Sequence, residues 1–183
     1  KALLYLTLPS APAGTLPQEG FIEHELLPFA QALNFPIISD SYVFATSYSG
    51  RPVRPLLSYP GAQETAVEAV GVAKELHLPG IRVGAVAGNP EIINAMRLFA
   101  ASALDMIPNP NQHLAAKAFD SINPGPVAQR LNQQLHQDIL PRFAALNWPV
   151  IVPQAGLDML VRLPPTFAWA DTIDHSLLAC LSL

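Results

Sequence analysis

Cysteine is almost absent: Cys180 is the one thiol in 183 residues. No intramolecular disulfide can form, so the natural compartment is a reducing cytoplasm, and Cys180 reads as a small buried hydrophobe rather than a nucleophile. Charge is scarce as well. Charged residues make up 13% of the chain against 50% hydrophobic, and the mean hydropathy is +0.28. So sparse a polar surface implies that apolar area is covered by something else, either further chain or a second subunit. A basic excess is missing too: the net charge of −4 and a pI near 5.6 argue against nucleic acid or an anionic membrane as partner. No apolar run reaches the ~18 unbroken residues of a membrane span. The start at Lys1 carries no signal-peptide pattern, so export is not indicated, and it points to a cropped or cut chain. The five histidines, His24, His77, His113, His136 and His175, show no H-E-x-x-H spacing, and no metal site is expected. No internal repeat or low-complexity stretch stands out, despite 19 prolines.

What is present is enough apolar sequence for a sizeable core, in one domain or one and a half. Lys1 to Leu8 reads as a buried strand followed by the turn PSAPAG. Phe21 to Leu33 carries a helical stripe, and Pro36 to Ser39 is a second strand ending near Asp40. Strand, helix, strand gives a right-handed parallel crossover, so the expected class is α/β. Asp40 then lies at the carboxyl edge of a parallel strand, where such sheets present function; alone, it also reads as a turn or cap residue.

Residues 66–88, AVEAVGVAKELHLPGIRVGAVAG, place a lone lysine between two apolar runs, Val67 to Val72 and Ile81 to Val86, that read as buried strands. Lys74 sits at the end of the first. Desolvation there would free a nucleophilic amine, whereas an exposed loop lysine is the plain alternative. Arg82, within the second run, needs a partner for its guanidinium: a phosphate would satisfy it, and so would a nearby carboxylate. Asn89-Pro90-Glu91 opens a helix to Ala103, and His113 to Phe119 forms a shorter one. Pro124 to Leu146 is a long amphipathic helix in which Pro141 should kink or end the pattern. Short strands are expected at Val150 to Val152 and Leu157 to Leu163, and a helical tail from Thr172 to Leu183.

AKELHLPGIRVG resembles the lysine motif of the fold-type I, pyridoxal-phosphate dependent aminotransferases of class I/II, where a serine, two residues, the Schiff-base lysine and G-x-R-x-G recur in order. KALLYLTLPSAPAG resembles the strand and N-P-x-G turn of that family, and FPIISD the strand ending in its aspartate. GNPEIINAMRLF and LNWPVIVPQAGLDMLVRLPP resemble the following helix and the start of the small domain, most closely in the LL-diaminopimelate and alanine or aspartate aminotransferase branch. The resemblance implies a three-layer α/β sandwich with a mostly parallel sheet. Residues 1–120 would be part of the large cofactor-binding domain and 121–183 the start of an α+β small domain.

It also implies roles. Lys74 would bind the cofactor aldehyde and shuttle the proton, Asp40 would hold the pyridinium nitrogen and Arg82 the phosphate. Tyr42 would be the cofactor-binding tyrosine in place of the one expected at Val43, through a local deletion or bulge, since in a regular strand the one-residue slip would point it to the opposite face. Amino acids and 2-oxo acids would be the substrates, and a cytoplasmic homodimer the working form. Three positions depart from the pattern: Ala11 replaces the turn asparagine, Val43 the tyrosine and Gly71 the serine. Arg162 does not match the family's carboxylate-binding arginine. Two functions therefore stay open, an aminotransferase and a degenerate aminotransferase fold serving as a binding or structural subunit, with a racemase, lyase or synthase on the same fold as a third.

Overall fold

The computed structural model describes residues 2–43, 46–76, 78–104 and 106–162, with the side chain of residue 124 left aside. The expected tail helix over 172–183, with Cys180 and His175, lies outside these residues, as does His77. Four strands form one sheet in the order β1 (Leu4–Thr7), β2 (Ile37–Ser41), β3 (Ala66–Gly71) and β4 (Gly84–Gly88). The first three are parallel, and β4 runs antiparallel to β3. The fold is thus mixed α/β with a mostly parallel sheet.

Strand alternation decides which side chains meet. Leu4, Leu6, Ile37 and Ala66 share a core with Ile22, Leu27, Ala30, Leu56 and Ala62, contributed by the β1–β2 crossover and two short turns at Leu56–Ser58 and Ala62–Glu64. Glu68, 4% exposed, lies in this interior. Its oxygens accept from Ser41 Oγ at 2.5 Å, Leu56 N at 2.9 Å and Leu57 N at 3.1 Å, so the buried carboxyl ties the Leu56–Ser58 turn to β3.

β4 departs from the expected buried strand: Gly84 to Ala87 are exposed and Gly88 is half-buried, and pairing begins only at Gly84, opposite Gly71. Residues 81–83 have no strand to pair with, because β3 has already turned into the short helix α2 (Val72–Glu75). Arg82 accordingly stands outside the strand, in a turn with φ 51°. Behind this turn Val72, Ile81, Ala115 and Ala118 form a second, smaller core between α2 and α4 (Asn109–Asp120). The preceding helix α3 (Pro90–Ala103) begins as its sequence predicts, with Asn89 Oδ1 accepting from Glu91 N at 3.0 Å and Ile92 N at 3.1 Å.

The long helix expected over 124–146 persists through Pro141. It comprises α5 (Pro124–Gln134), a wide turn at Leu135–Ile139 and α6 (Leu140–Ala145). In the wide turn Leu140 N bonds back five residues to Leu135 O, and this slack accommodates a proline that has no N–H to give. The β1–β2 crossover uses the same device: Ile22–Leu26 is a wide turn closed by Leu27 N to Ile22 O, followed by Pro28 and α1 (Leu27–Ala32).

Both units also end alike. Asn34 and Asn147 adopt left-handed φ of 49° and 55°. Phe35 N reaches Ala30 O at 2.8 Å, and Trp148 N reaches Phe143 O at 3.0 Å, the Schellman closure in which asparagine tolerates the left-handed position. LPFAQALNFPII and LPRFAALNWPVI, residues 27–38 and 140–151, are therefore one structural unit used twice. The expectation of no internal repeat is corrected at this scale.

The second unit leads into β5 (Val150–Ile151), which pairs antiparallel with β6 (Leu160–Val161). The segment between them returns to the first half of the chain. Gln154 N donates to Gly14 O at 2.8 Å, Leu16 N donates to Gln154 Oε1 at 2.8 Å, and Tyr48 N donates to Gln154 O at 2.8 Å. Gly14 permits the approach, since a Cβ there would stand 2.6 Å from Pro153 Cβ and 2.7 Å from Ala155 O.

Candidate functional site

The carboxyl ends of β2 and β3 frame a cleft of about 230 Å³ lined by Asp40, Tyr42, Ala69, Val70, Gly71, Ala73 and Lys74. Parallel pairing sets Asp40 beside Ala69. The turn into α2 then brings Lys74 over the strand end, with its side chain exposed. Three of the four residues singled out from sequence thus share one cleft. Arg82 is exposed and is not part of its lining.

Tyr42 reaches the cleft although strict alternation would turn it away. β2 ends at Ser41, the chain turns, and the pleat no longer governs the next residue, while Val43 is fully buried. The Tyr42 hydroxyl donates to Asp158 Oδ2 at 2.5 Å. Burial first, then this carboxylate, push the phenol well above its usual range, with Asp40 and Tyr48 adding to the effect.

Asp40 has a partner that sequence reading missed. Tyr5, on β1, donates its hydroxyl to Asp40 Oδ2 at 2.5 Å. Register explains the meeting: Thr7 lies opposite Asp40, and Tyr5, two residues earlier, projects from the same face. The aromatic at an alternate position of the first strand was the available signal. The Asp40 contact raises the Tyr5 phenol, with smaller contributions from burial and charge. Asp158 carried no comparable sequence signal.

The donor set fits part of a pyridoxal phosphate. An amine and a carboxylate bordering one cleft between parallel strand ends suit the aldehyde and ring-nitrogen ends of that cofactor. At the two positions where the resemblance implies phosphate ligands the fit is poorer: Gly71 offers no hydroxyl, and Arg82 is exposed and lies outside the cleft lining. Among the described residues no group of three or more His, Cys, Asp or Glu could hold a metal ion. No helix among them is long and apolar enough to cross a membrane.

Known proteins of similar sequence and structure are consistent with this geometry. LL-diaminopimelate aminotransferase 2 of Trichormus variabilis is 26% identical over 166 residues, covering 90% of this chain and 42% of that protein. The LL-diaminopimelate aminotransferase of Moorella thermoacetica is 24% identical over 170 residues, covering 92% and 43%. The chain therefore spans less than half the length of these relatives. In fold it is similar to an aminotransferase from Staphylococcus aureus, with a TM-score of 0.82, 17% identity and coverage of 96% of this chain and 48% of the other. A probable N-succinyldiaminopimelate aminotransferase from Thermus thermophilus gives a TM-score of 0.77, 21% identity and coverage of 89% and 44%. The family description "Aminotransferase class I and II" matches residues 1–179. Sheet, cleft and sequence match agree: the chain belongs to the class I and II aminotransferase family.

Proposed function

We propose that this chain is the lysine-bearing part of a pyridoxal-phosphate dependent aminotransferase that moves an amino group between an amino acid and a 2-oxo acid. The observation that carries the reading is the shared cleft of Asp40, Tyr42 and Lys74 at the carboxyl ends of β2 and β3. When bound, pyridoxal phosphate supplies an electrophilic aldehyde and a ring that draws electrons from a substrate α-carbon. Lys74 Nζ would hold the aldehyde carbon and would take and return the proton of the substrate α-carbon. Asp40 offers a carboxylate to the ring N–H, Arg82 a guanidinium to the phosphate, and Tyr42 a wall to the cleft. The names of the relatives suggest diamino-dicarboxylic acids as the substrate class. A cytoplasmic homodimer completes the proposal, in keeping with the sparse charge of the surface.

A second reading is a degenerate member that keeps the fold as a binding or structural subunit. It is favoured by Ala11, Gly71 and buried Val43, none of which can donate a side-chain hydrogen bond, and by Arg82 lying off the cleft lining.

The two separate in one experiment. The protein is mixed with pyridoxal phosphate, reduced with borohydride and digested for mass spectrometry, with Lys74→Ala as control. A band at about 420 nm before reduction that borohydride then bleaches, together with a reduced cofactor adduct on Lys74, supports the enzyme. A protein that stays colourless and unmodified supports the degenerate reading.

A further inference from the structure

Tyr5 belongs to no part of the site as built from the sequence, yet it makes the hydrogen bond that fixes Asp40. Its ring is 57% exposed, so the side chain is not held in place by burial. The Tyr5 hydroxyl meets Asp40 Oδ2 at 2.5 Å, the length of a charge-assisted O–H···O bond. Tyr5 is absent from the cleft lining while Asp40 is part of it. The phenol thus grips the carboxyl group from outside the cleft. A carboxylate has about four lone-pair sites, so the bond at Oδ2 leaves the group able to accept from a second donor.

We infer that Tyr5 is a positioning residue: it clamps Asp40 through Oδ2 and presents Oδ1 to the ring nitrogen of pyridoxal phosphate. The inference rests on the cofactor assignment above and adds to it a residue on a different strand. Asp40 sits next to the end of β2, and its side chain has several torsional choices open to it. A second hydrogen bond removes that freedom before the ring arrives, so less ordering is left for binding. Because one carboxyl group serves both partners, the phenol and the ring also sense each other's charge.

The experiment follows the tyrosine itself. Tyr5, Tyr42, Tyr48 and Tyr59 are labelled with ¹³C at Cζ and titrated by NMR, with Tyr5 assigned from Tyr5→Phe. In the cofactor-free protein Tyr5 is expected to ionise above the ordinary phenol value of about 10, and Asp40→Asn to bring it back. With pyridoxal phosphate bound, the Tyr5 titration should fall toward that value, because the protonated ring nitrogen neutralises the carboxylate. Tyr5→Phe should weaken cofactor binding about tenfold, with the adduct still forming on Lys74 at saturating pyridoxal phosphate.

A Tyr5 titration that ignores Asp40→Asn overturns the clamp. So does one that ignores a cofactor already shown on Lys74 by borohydride trapping. Absence of any adduct on the wild-type protein is a different failure: it removes the cofactor assignment and with it the role of Tyr5 toward the ring.

Discussion

Gly71 gives the sharpest perturbation, because its neighbourhood already accepts the residue that the family carries there. Its backbone has φ −145° and ψ 153°, extended geometry open to any residue. A Cβ would find its nearest atom, Val83 O, at 3.9 Å, an ordinary contact. Gly71 is also the N-cap of α2 and caps it with no side-chain bond. Gly71→Ser adds a hydroxyl that can accept from the first turn of α2, worth a few tenths of a kcal/mol over glycine. Loss of chain freedom in the unfolded state adds about 0.4–1 kcal/mol. At about 2–4 °C per kcal/mol for a chain of this size, the midpoint should rise by roughly 1–5 °C without cofactor.

The larger effect falls on binding. Under the proposed cofactor role, a serine hydroxyl at 71 would add one hydrogen bond to the phosphate, about 1.5–3 kcal/mol, or roughly ten- to hundredfold in Kd. Thermal melts without cofactor and absorbance titrations with pyridoxal phosphate measure the two effects separately. Gly71→Ala is the control: it should share the gain in stability and leave affinity unchanged. Equal affinities for the serine and alanine variants would refute the placement of residue 71 beside the phosphate. A lowered midpoint in both would refute the reading that position 71 has room.

Three other outcomes follow from the packing. Glu68→Ala strands Ser41 Oγ and the amides of Leu56 and Leu57, and should cost about 3–5 kcal/mol in urea unfolding; Glu68→Gln keeps one acceptor and should cost less. Asn34→Ala and Asn147→Ala should each lose about 0.5–1 kcal/mol, by nearly equal amounts in equilibrium unfolding because the two units are built alike, while the glycine variants should be close to neutral. The Tyr42 phenol is raised in the folded protein, so its contribution is complete below the unfolded phenol value of about 10 and is lost as pH climbs through the higher folded value; unfolding measured from pH 8 upward should show a shallower alkaline decline for Tyr42→Phe.

The three parallel strands were legible because each is a short apolar run bounded by turn residues. The position of Lys74 just past the carboxyl end of β3 followed from the same pattern, since a strand that ends in a sheet must place its next residues at the sheet's edge. Arg82 was misplaced for a related reason. Residues 81–86 are continuously apolar apart from that arginine, and apolarity does not show that β3 has run out of backbone to pair with before Gly84. Tyr42 was misdirected by extending strand alternation one residue past the strand. Pro141 was overvalued as a helix breaker because the wide turn that absorbs it comes from backbone bonding, not from residue type. The repeated unit escaped notice because its identity lies in a few fixed points, Leu-Pro and Ala-Leu-Asn-aromatic-Pro, among otherwise different residues. The Tyr5–Asp40 contact needed a pairing register that the sequence does not carry.

The bonds at Gln154 bear on how this molecule could flex. One residue fastens the turn at Gly14 and Leu16, the loop at Tyr48 and the approach to β6, using its amide, its carbonyl and its side chain together. A swing of the β5–β6 hairpin that parted these strands would break all of them at once. Ala155 N on Gly14 O, Gly156 N on Thr46 O and the Tyr48 hydroxyl on Gly156 O continue the same fastening, so residues 154–156 hold the hairpin as a clasp of several points and not as a single pivot. Tyr42, held between the end of β2 and buried Val43 and bonded to Asp158, fastens the same clasp to the wall of the cleft beside Lys74, so disturbing residues 154–158 should be felt at the cleft.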